Sequence, residues 1–370
     1  MYDIAIVGAG PAGSTLARLL GSSHRVLLVD RRRLDRDHTR GDVAKPCGGL
    51  LAPAAQAELA RQGLGVPASV VTGPQLFAVR TLDLVADLER LYQRFYVNVD
   101  REAFDRWLVS LVPDRVETAF GWTLSTLEPA ADGPFLRFRT AEGGNVGVRA
   151  RCVIGADGAA SLVRKLSFPD VPVPRRYAAI QAEFSIGAFD PHYGALFDSR
   201  LTDYYGWTIP KGDRLLVGAA FDSSSPGVAE KFSALVDGAR ACGFGFGEEI
   251  ARSSAQVVRP SSLLDLCPGS GSILLAGEAA GFISPSSAEG ISFALRSAAA
   301  LAGALDQGLA GADARYRAAA LPLALSVQAK AIKASAIYSR VTRRAIMRSG
   351  VGSIPVGGRS RLAPTTAAQH

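Results

Sequence analysis

"YDIAIVGAGPAGSTLARLLG", residues 2–21, decides the fold of this chain. Its "DIAIV" is a short apolar run of the kind that makes a fully buried strand. Gly8, Gly10 and Gly13 follow at once, and the residues after them recur at helical spacing. Pro11 suits a first helical turn, where its missing N–H costs no hydrogen bond. "RVLLVD", residues 25–30, reads as a second buried strand ending in Asp30. In such a unit the first glycine makes the tight turn and the second admits a pyrophosphate close to the backbone. The third lets helix pack on strand, and the helix N-terminus favours the phosphate charge. A terminal acid at that position accepts from a ribose hydroxyl. The expectation is a dinucleotide site over Gly8, Gly10, Pro11, Ala12 and Gly13, with Asp30 and its neighbour Arg31.

Outward from this unit the chain alternates class. "RRRLDRDHTRGD" (31–42) is polar and aperiodic, a loop, and "APAAQAELARQGL" (52–64) is a helix ended by Gly63. "YVNVDREAFDRWLVSLVP" (96–113) reads as a strand, Asp100 as N-cap, and an amphipathic helix stopped by Pro113. Residues 116–155 and 177–221 are rich in short strands, and "GVAEKFSALVDGARACG" (227–243) is a helix between strands. After "SILLAGEAAG" (272–281) the pattern is helical almost to the end, with breaks expected at Gly308, Gly311 and Pro322. βαβ pieces at both ends thus bracket a β-rich centre, the pattern of a discontinuous nucleotide domain with an inserted sheet.

Composition narrows the class. With 370 residues, 48% of them hydrophobic, the chain can bury a large core in two lobes. Cys47, Cys152, Cys242 and Cys267 form no CxxC pair, and only four histidines are present, so no metal site is expected. No disulfide framework, cleavable signal or spanning segment is read, which makes the cytoplasm the expected compartment. Residues 311–370 hold ten Lys and Arg against the single acid Asp313, which leaves the first 310 residues at −2 within the total of +7. The basic stretch "PLALSVQAKAIKASAIYSRVTRRAIM" (322–347) is a candidate for peripheral membrane contact. No zinc-finger or RNP pattern points to nucleic acid.

Two further stretches specify the dinucleotide. "CVIGADGAASLVR" places Asp157 after a buried strand, and "ILLAGEAAGFISPSSAEGISFALRSA" holds Gly277, Glu278, Gly281, Gly290 and Ile291. With the glycine turn these resemble, in order, the three fingerprints of the hydroxylase-like FAD-dependent flavoproteins. The resemblance spans about residues 2–300 and implies FAD. It assigns the pyrophosphate to Gly8–Gly13, the adenosine ribose to Asp30, and ribityl and phosphate oxygens to the Glu278 region. The helix start at Gly290 would face the flavin pyrimidine. The family usually has Asp where this chain has Glu278. Arg101, at the head of "DREAFDRWL", and Lys45 join the implied cofactor set.

Within that group the chain resembles the geranylgeranyl reductases, which saturate isoprenoid double bonds. "YGWTIPKGDRLLVGAA" (205–220) matches their central pattern in part, with Ile209 for Phe and Ala220 for the final Gly. The resemblance makes Tyr205, Trp207 and Pro210 substrate contacts. It sets the loop "DVAKPCGGLLAP" (42–53) beside the flavin, with Cys47, Gly48 and Gly49 at the reacting centre and Cys47 a candidate proton donor. Two glycines there would let the backbone lie flat on the flavin.

The implied fold is α/β. A Rossmann-like FAD-binding domain (1–75, 100–175 and 268–305) carries an inserted mixed or antiparallel β-sheet substrate domain (76–99 and 176–267). A basic helical region (306–370) closes the chain. The implied function is reduction of carbon–carbon double bonds in a prenyl or other hydrophobic substrate, with NAD(P)H or another external electron donor. "YGWTIP" is also one residue from a halogenase pattern, so a monooxygenase or halogenase working through a flavin hydroperoxide is the alternative. A non-catalytic flavin carrier docked on a membrane is the third reading.

Overall fold

The computed structural model describes residues 1–35, 46–187 and 190–355. Two eight-stranded sheets organise them. In the first, the strand Tyr2–Val7 lies parallel between Val26–Asp30 and Asn145–Gly155, with Ile6 opposite both Leu28 and Ile154. Ile273–Leu275 and Gly269–Ser270 extend this sheet on one side and Glu117–Phe120 on the other. From the side, Phe135–Thr140 pairs antiparallel with Asn145–Gly155, and Trp122–Glu128 pairs antiparallel with Phe135–Thr140. The inner stretches 4–7, 26–29 and 152–154 are continuously apolar and buried because helices cover them. Ile4, Ile6, Leu28 and Ile154 are buried among residues of the helices Pro11–Leu20 and Ile291–Leu305. The α/β architecture with a parallel nucleotide-binding core is the one expected from residues 2–30.

The second sheet runs Phe246–Arg259, Arg175–Ile186, Arg214–Asp222, Gly206–Lys211, Tyr193–Phe197, Leu76–Asp83, Leu88–Asn98, Leu50–Leu51. All its pairings are antiparallel except that of Tyr193–Phe197 with Leu76–Asp83. The helix Val228–Ala241 covers one face, seating Phe232 and Leu235 against Val217 and Phe221. Each such side chain contributes about 1.5–3 kcal/mol by leaving water. The other face carries an aromatic cluster of Tyr177, Tyr193, Tyr204 and Tyr205, against which Tyr338 packs.

Tyr338 ends the helix Leu321–Tyr338, one of two C-terminal helices held to this sheet. The second, Arg340–Ser349, is locked by an ion pair of Arg343 with Asp83 at 2.9 Å, both buried. The break expected at Pro322 falls at Ala320, between the helices Ala312–Ala319 and Leu321–Tyr338, and Pro322 sits in the first turn of the latter, where it loses no hydrogen bond. A further break falls at Ser339, whose side chain caps the next helix. Asp100 caps Arg101–Ser110 as expected, accepting from the Ala103 N–H at 2.9 Å.

Candidate functional site

The glycine turn divides its labour among three positions. Gly8 sits at φ +105°, and a Cβ there would stand 2.4 Å from the Ala156 carbonyl oxygen. A Cβ on Gly13 would stand 1.7 Å from the Gly8 carbonyl oxygen. Both glycines are demanded by the protein's own backbone. Gly10 differs, since a Cβ there would meet nothing within 4 Å. Gly10 is also the N-cap of Pro11–Leu20, with no capping side chain and no acid in the first turn. The positive end of this helix thus opens on unfilled space, with Pro11 and Ala12 in its first turn.

Asp30 stands under the turn and accepts the Ala9 N–H at 2.7 Å. Its remaining acceptor positions are taken by Arg32, through the backbone N–H at 2.8 Å, Nε at 3.1 Å and Nη2 at 3.1 Å. A carboxylate offers about four lone-pair positions, and here four donors occupy them. A ribose hydroxyl would therefore share Asp30 with Arg32. Arg31, expected in the cofactor-binding set, is exposed.

Arg32 continues the chain of charges, its Nη1 lying 2.9 Å from Asp105 Oδ2. Asp105 Oδ1 lies 3.0 Å from Arg101 Nε, one helical turn away. Arg101 in turn hydrogen-bonds the Cys47 side chain. Burial pushes Asp105 up, but Arg101 and Arg32 together hold its carboxyl below the ordinary range. Burial likewise pulls Arg101 down, while Asp105 and Cys47 hold it charged, above its usual value. Alternating charges thus join the glycine turn to the cysteine loop. Arg32 and Asp105 carry no motif that marks them in the sequence.

The loop itself lies on the second sheet. A Cβ on Gly48 would stand 2.4 Å from Ile209 Cδ1. Gly49, at φ +58°, would meet the Val99 carbonyl oxygen at 2.4 Å and Lys211 Nζ at 2.7 Å. The room these glycines make is therefore taken by protein, and that packing accounts for them without a flavin. Lys211 Nζ donates to the carbonyls of Gly49 at 3.0 Å and Val99 at 2.7 Å, and to Asn98 Oδ1. Asn98, fully buried, donates in turn to the Pro74 and Pro210 carbonyls, both at 2.8 Å. Burial pulls Lys211 down to about 7, with Cys47 and Asp100 acting in the opposite direction. One lysine thus knots the cysteine loop, the strand before Arg101 and its own strand.

The later fingerprints are partly structural. Ser161 caps the helix Leu162–Ser167, and Asp157 braces that turn, accepting from Ser161 Oγ at 2.6 Å and the Leu162 N–H at 2.8 Å, while burial raises its pKa. Its backbone walls the Gly8 turn. Gly277, at φ +59°, brings its turn against Ala12 and Ala294 and donates to Ser297 Oγ at 2.9 Å. Gly281, at φ +84°, packs on the Asp265 carbonyl. Glu278 reaches the Val258 N–H at 3.1 Å, tying this turn to the second sheet. Gly290 caps Ile291–Leu305 without a side-chain bond, and Ile291 packs with Leu51 and Phe104 beside the cysteine loop.

Tyr205, immediately before the strand Gly206–Lys211, and Trp207 within it lie two residues apart and touch at 5.8 Å between ring centroids. A Cβ on Gly218 would lie 2.4 Å from the Trp207 indole, so that glycine lets the ring lie flat on its neighbouring strand. Tyr205 accepts from Tyr193 at 3.0 Å and donates to the Ser287 carbonyl at 2.8 Å. Pro210 is buried behind the loop. Lys45 lies outside the described residues.

The residues present fit FAD. Open space at Gly10 and the uncapped helix N-terminus behind it suit a diphosphate, whereas the helix start at Gly290 is already met by Glu289, which accepts the Ser292 N–H at 2.7 Å. Residues 1–181 match the model of the FAD binding domain family. Protein CbrA of Escherichia coli O6:H1 is 39% identical over 354 residues, covering 96% of this chain and 95% of that one. CbrA of Shigella sonnei is 39% identical over 96% of this chain and 98% of its own. Among solved structures, a geranylgeranyl bacteriochlorophyll reductase-like protein from Thermoplasma acidophilum superposes with TM-score 0.76 at 18% identity, over 91% of this chain and 86% of that one. The p-nitrophenol 4-monooxygenase of Pseudomonas putida gives TM-score 0.72 at 15% identity, over 95% and 93%. The flavin-dependent halogenase CmlS gives 0.68 at 18%, over 97% and 74%. These likenesses show the fold.

Proposed function

We propose, from the premise that this chain belongs to the CbrA family and is an FAD-dependent flavoprotein oxidoreductase, that it reduces carbon–carbon double bonds of an isoprenoid or similarly hydrophobic substrate. The observation that carries the reading is the clamped position of the Cys47–Gly49 loop. On one side Arg101 ties it to the charge chain under the glycine turn. On the other, Ile209 and Lys211 hold it to the strand that carries Tyr205 and Trp207. A group fixed between cofactor and substrate walls is held in place before any reaction begins.

When bound, FAD supplies two-electron redox chemistry. The chain's own residues do the rest. The Gly10 turn and its helix N-terminus bind the diphosphate, and Glu278 and the Gly290 helix start border the remainder of the cofactor. Cys47 Sγ is the atom at which the substrate's proton is held, with Arg101 orienting the side chain. Lys211 fixes the loop backbone. The aromatic face around Tyr205 and Trp207 offers an apolar wall and excludes water from it.

Two features leave oxygen chemistry as the second reading. A monooxygenase and a halogenase share the fold. Lys211 is a buried lysine beneath the cysteine loop, and it is drawn down to about 7 by burial. Anaerobic reduction followed by separate challenge with prenyl lipids and with oxygen decides between them. Reoxidation by the alkene, with the saturated product recovered, supports the reductase. Reoxidation by oxygen alone, with oxygen or halide transferred to a substrate, replaces it with the second reading. The electron donor, NAD(P)H or another, is identified in the same apparatus as the compound that reduces the bound cofactor.

A further inference from the structure

We propose that the outer face of the helix Leu321–Tyr338 docks this protein on a bilayer containing anionic phospholipid. A surface helix ordinarily has one apolar side. This one has two. Leu323, Val327 and Ala334 are buried against the body, whereas Leu321, Leu325 and Ile332 point away and are 55%, 53% and 66% exposed. Their spacing of four and seven residues makes one stripe, about 17 Å long at 1.5 Å per residue. Scattered exposed apolar side chains are ordinary, but a stripe along a whole helix face leaves a surface to be covered.

Charge selects the occupant. From residue 314 to residue 355 there are eight Lys and Arg and no acid. One of the eight, Arg343, is spent on Asp83 inside the fold. Beside the stripe, Lys333 has Arg94 and Lys330 as charged neighbours, and burial with these like charges lowers its pKa. Such a crowd of cations calls for anions from outside. A second copy laying the same patch on itself would set cation against cation, which disfavours an isologous dimer. An acid-free basic helix with a Leu and Ile face suits the plane of a lipid headgroup layer. The inference rests on the exposed helix and its charges, and it holds whatever reaction the site performs.

The test is co-sedimentation of the full chain with vesicles of phosphatidylcholine and with vesicles of phosphatidylcholine plus phosphatidylglycerol. The wild type is expected to pellet with the anionic vesicles and to be released by salt. Lys333→Gln should weaken partitioning about five-fold, the worth of one cation near such a surface. Leu325→Ser with Ile332→Ser should weaken it about ten-fold or more. Both sites are exposed, and an unchanged circular dichroism spectrum confirms that the variants fold. Equal sedimentation with both vesicle types, or with neither, overturns the proposal. So does anionic binding that the double serine variant retains in full. A dimer that the same variant dissolves, without vesicle binding, would assign the face to a second copy and overturn it equally.

Discussion

Gly10 and the pair Gly48–Gly49 look alike in the sequence, small residues in loops beside a cofactor, yet the structure holds them for opposite reasons. At Gly10 a side chain would enter open space in front of an uncapped helix. At Gly48 and Gly49 it would strike Ile209, Val99 and Lys211. The first glycine leaves room for something the protein binds. The second pair leaves room for the protein itself. A glycine near a ligand is thus evidence for the ligand only when nothing else fills its missing Cβ.

Substitutions can break or sharpen this contrast. The largest effect is expected at Gly13, where a Cβ would stand 1.7 Å from the Gly8 carbonyl oxygen. Gly13→Ala should cost about 4 kcal/mol or more and leave little folded protein, read by thermal denaturation. Gly49→Ala comes next, since it combines φ +58° with a 2.4 Å approach to the Val99 carbonyl. About 2 kcal/mol of destabilisation is expected there, with the backbone unable to yield. Gly48→Ala meets only the methyl end of Ile209, which can rotate away. About 1 kcal/mol is expected, recovered in the double variant with Ile209→Val. Failure of that rescue in double-mutant denaturation would mean that the loop does not rest on Ile209.

The smallest effect at neutral pH concerns Lys211, whose folded value of about 7 lies below its ordinary 10.5. Between those values the unfolded chain binds a proton that the folded state lacks, so wild-type stability rises with pH across that window. Lys211→Met removes this slope. Melting temperatures of the two proteins should therefore diverge in the wild type's favour as pH rises from 7 toward 10.5. A gap that stays constant would show that Lys211 is not held in a buried setting.

The legible parts of the molecule were those written in local pattern. Strand, glycine turn, helix and strand occupy residues 2–30 as read, and Asp100 caps the helix it precedes. Both depend on neighbours within a few residues. The site's connections depend on distant ones. Nothing in "RRR" tells that Arg32, not Arg31, pairs with Asp30 and Asp105, because the choice follows from where the Arg101–Ser110 helix lies. Lys211 gains its role only when residues 49, 98 and 99 converge on its Nζ. Residues 322–347 stand out in the sequence as a candidate for membrane contact, but which apolar side of Leu321–Tyr338 is free follows only from the packing of Leu323, Val327 and Ala334 on the body.

The central claim is that this fold binds FAD at the space left open before Gly10. Calorimetric titration of FAD into the apoprotein, for the wild type and for Gly10→Val, tests it directly. The account predicts one FAD bound per wild-type chain and a binding isotherm that collapses in Gly10→Val, while the melting temperature of the apoprotein stays the same. FAD binding that is absent from the wild type, or undiminished in the variant, would contradict it.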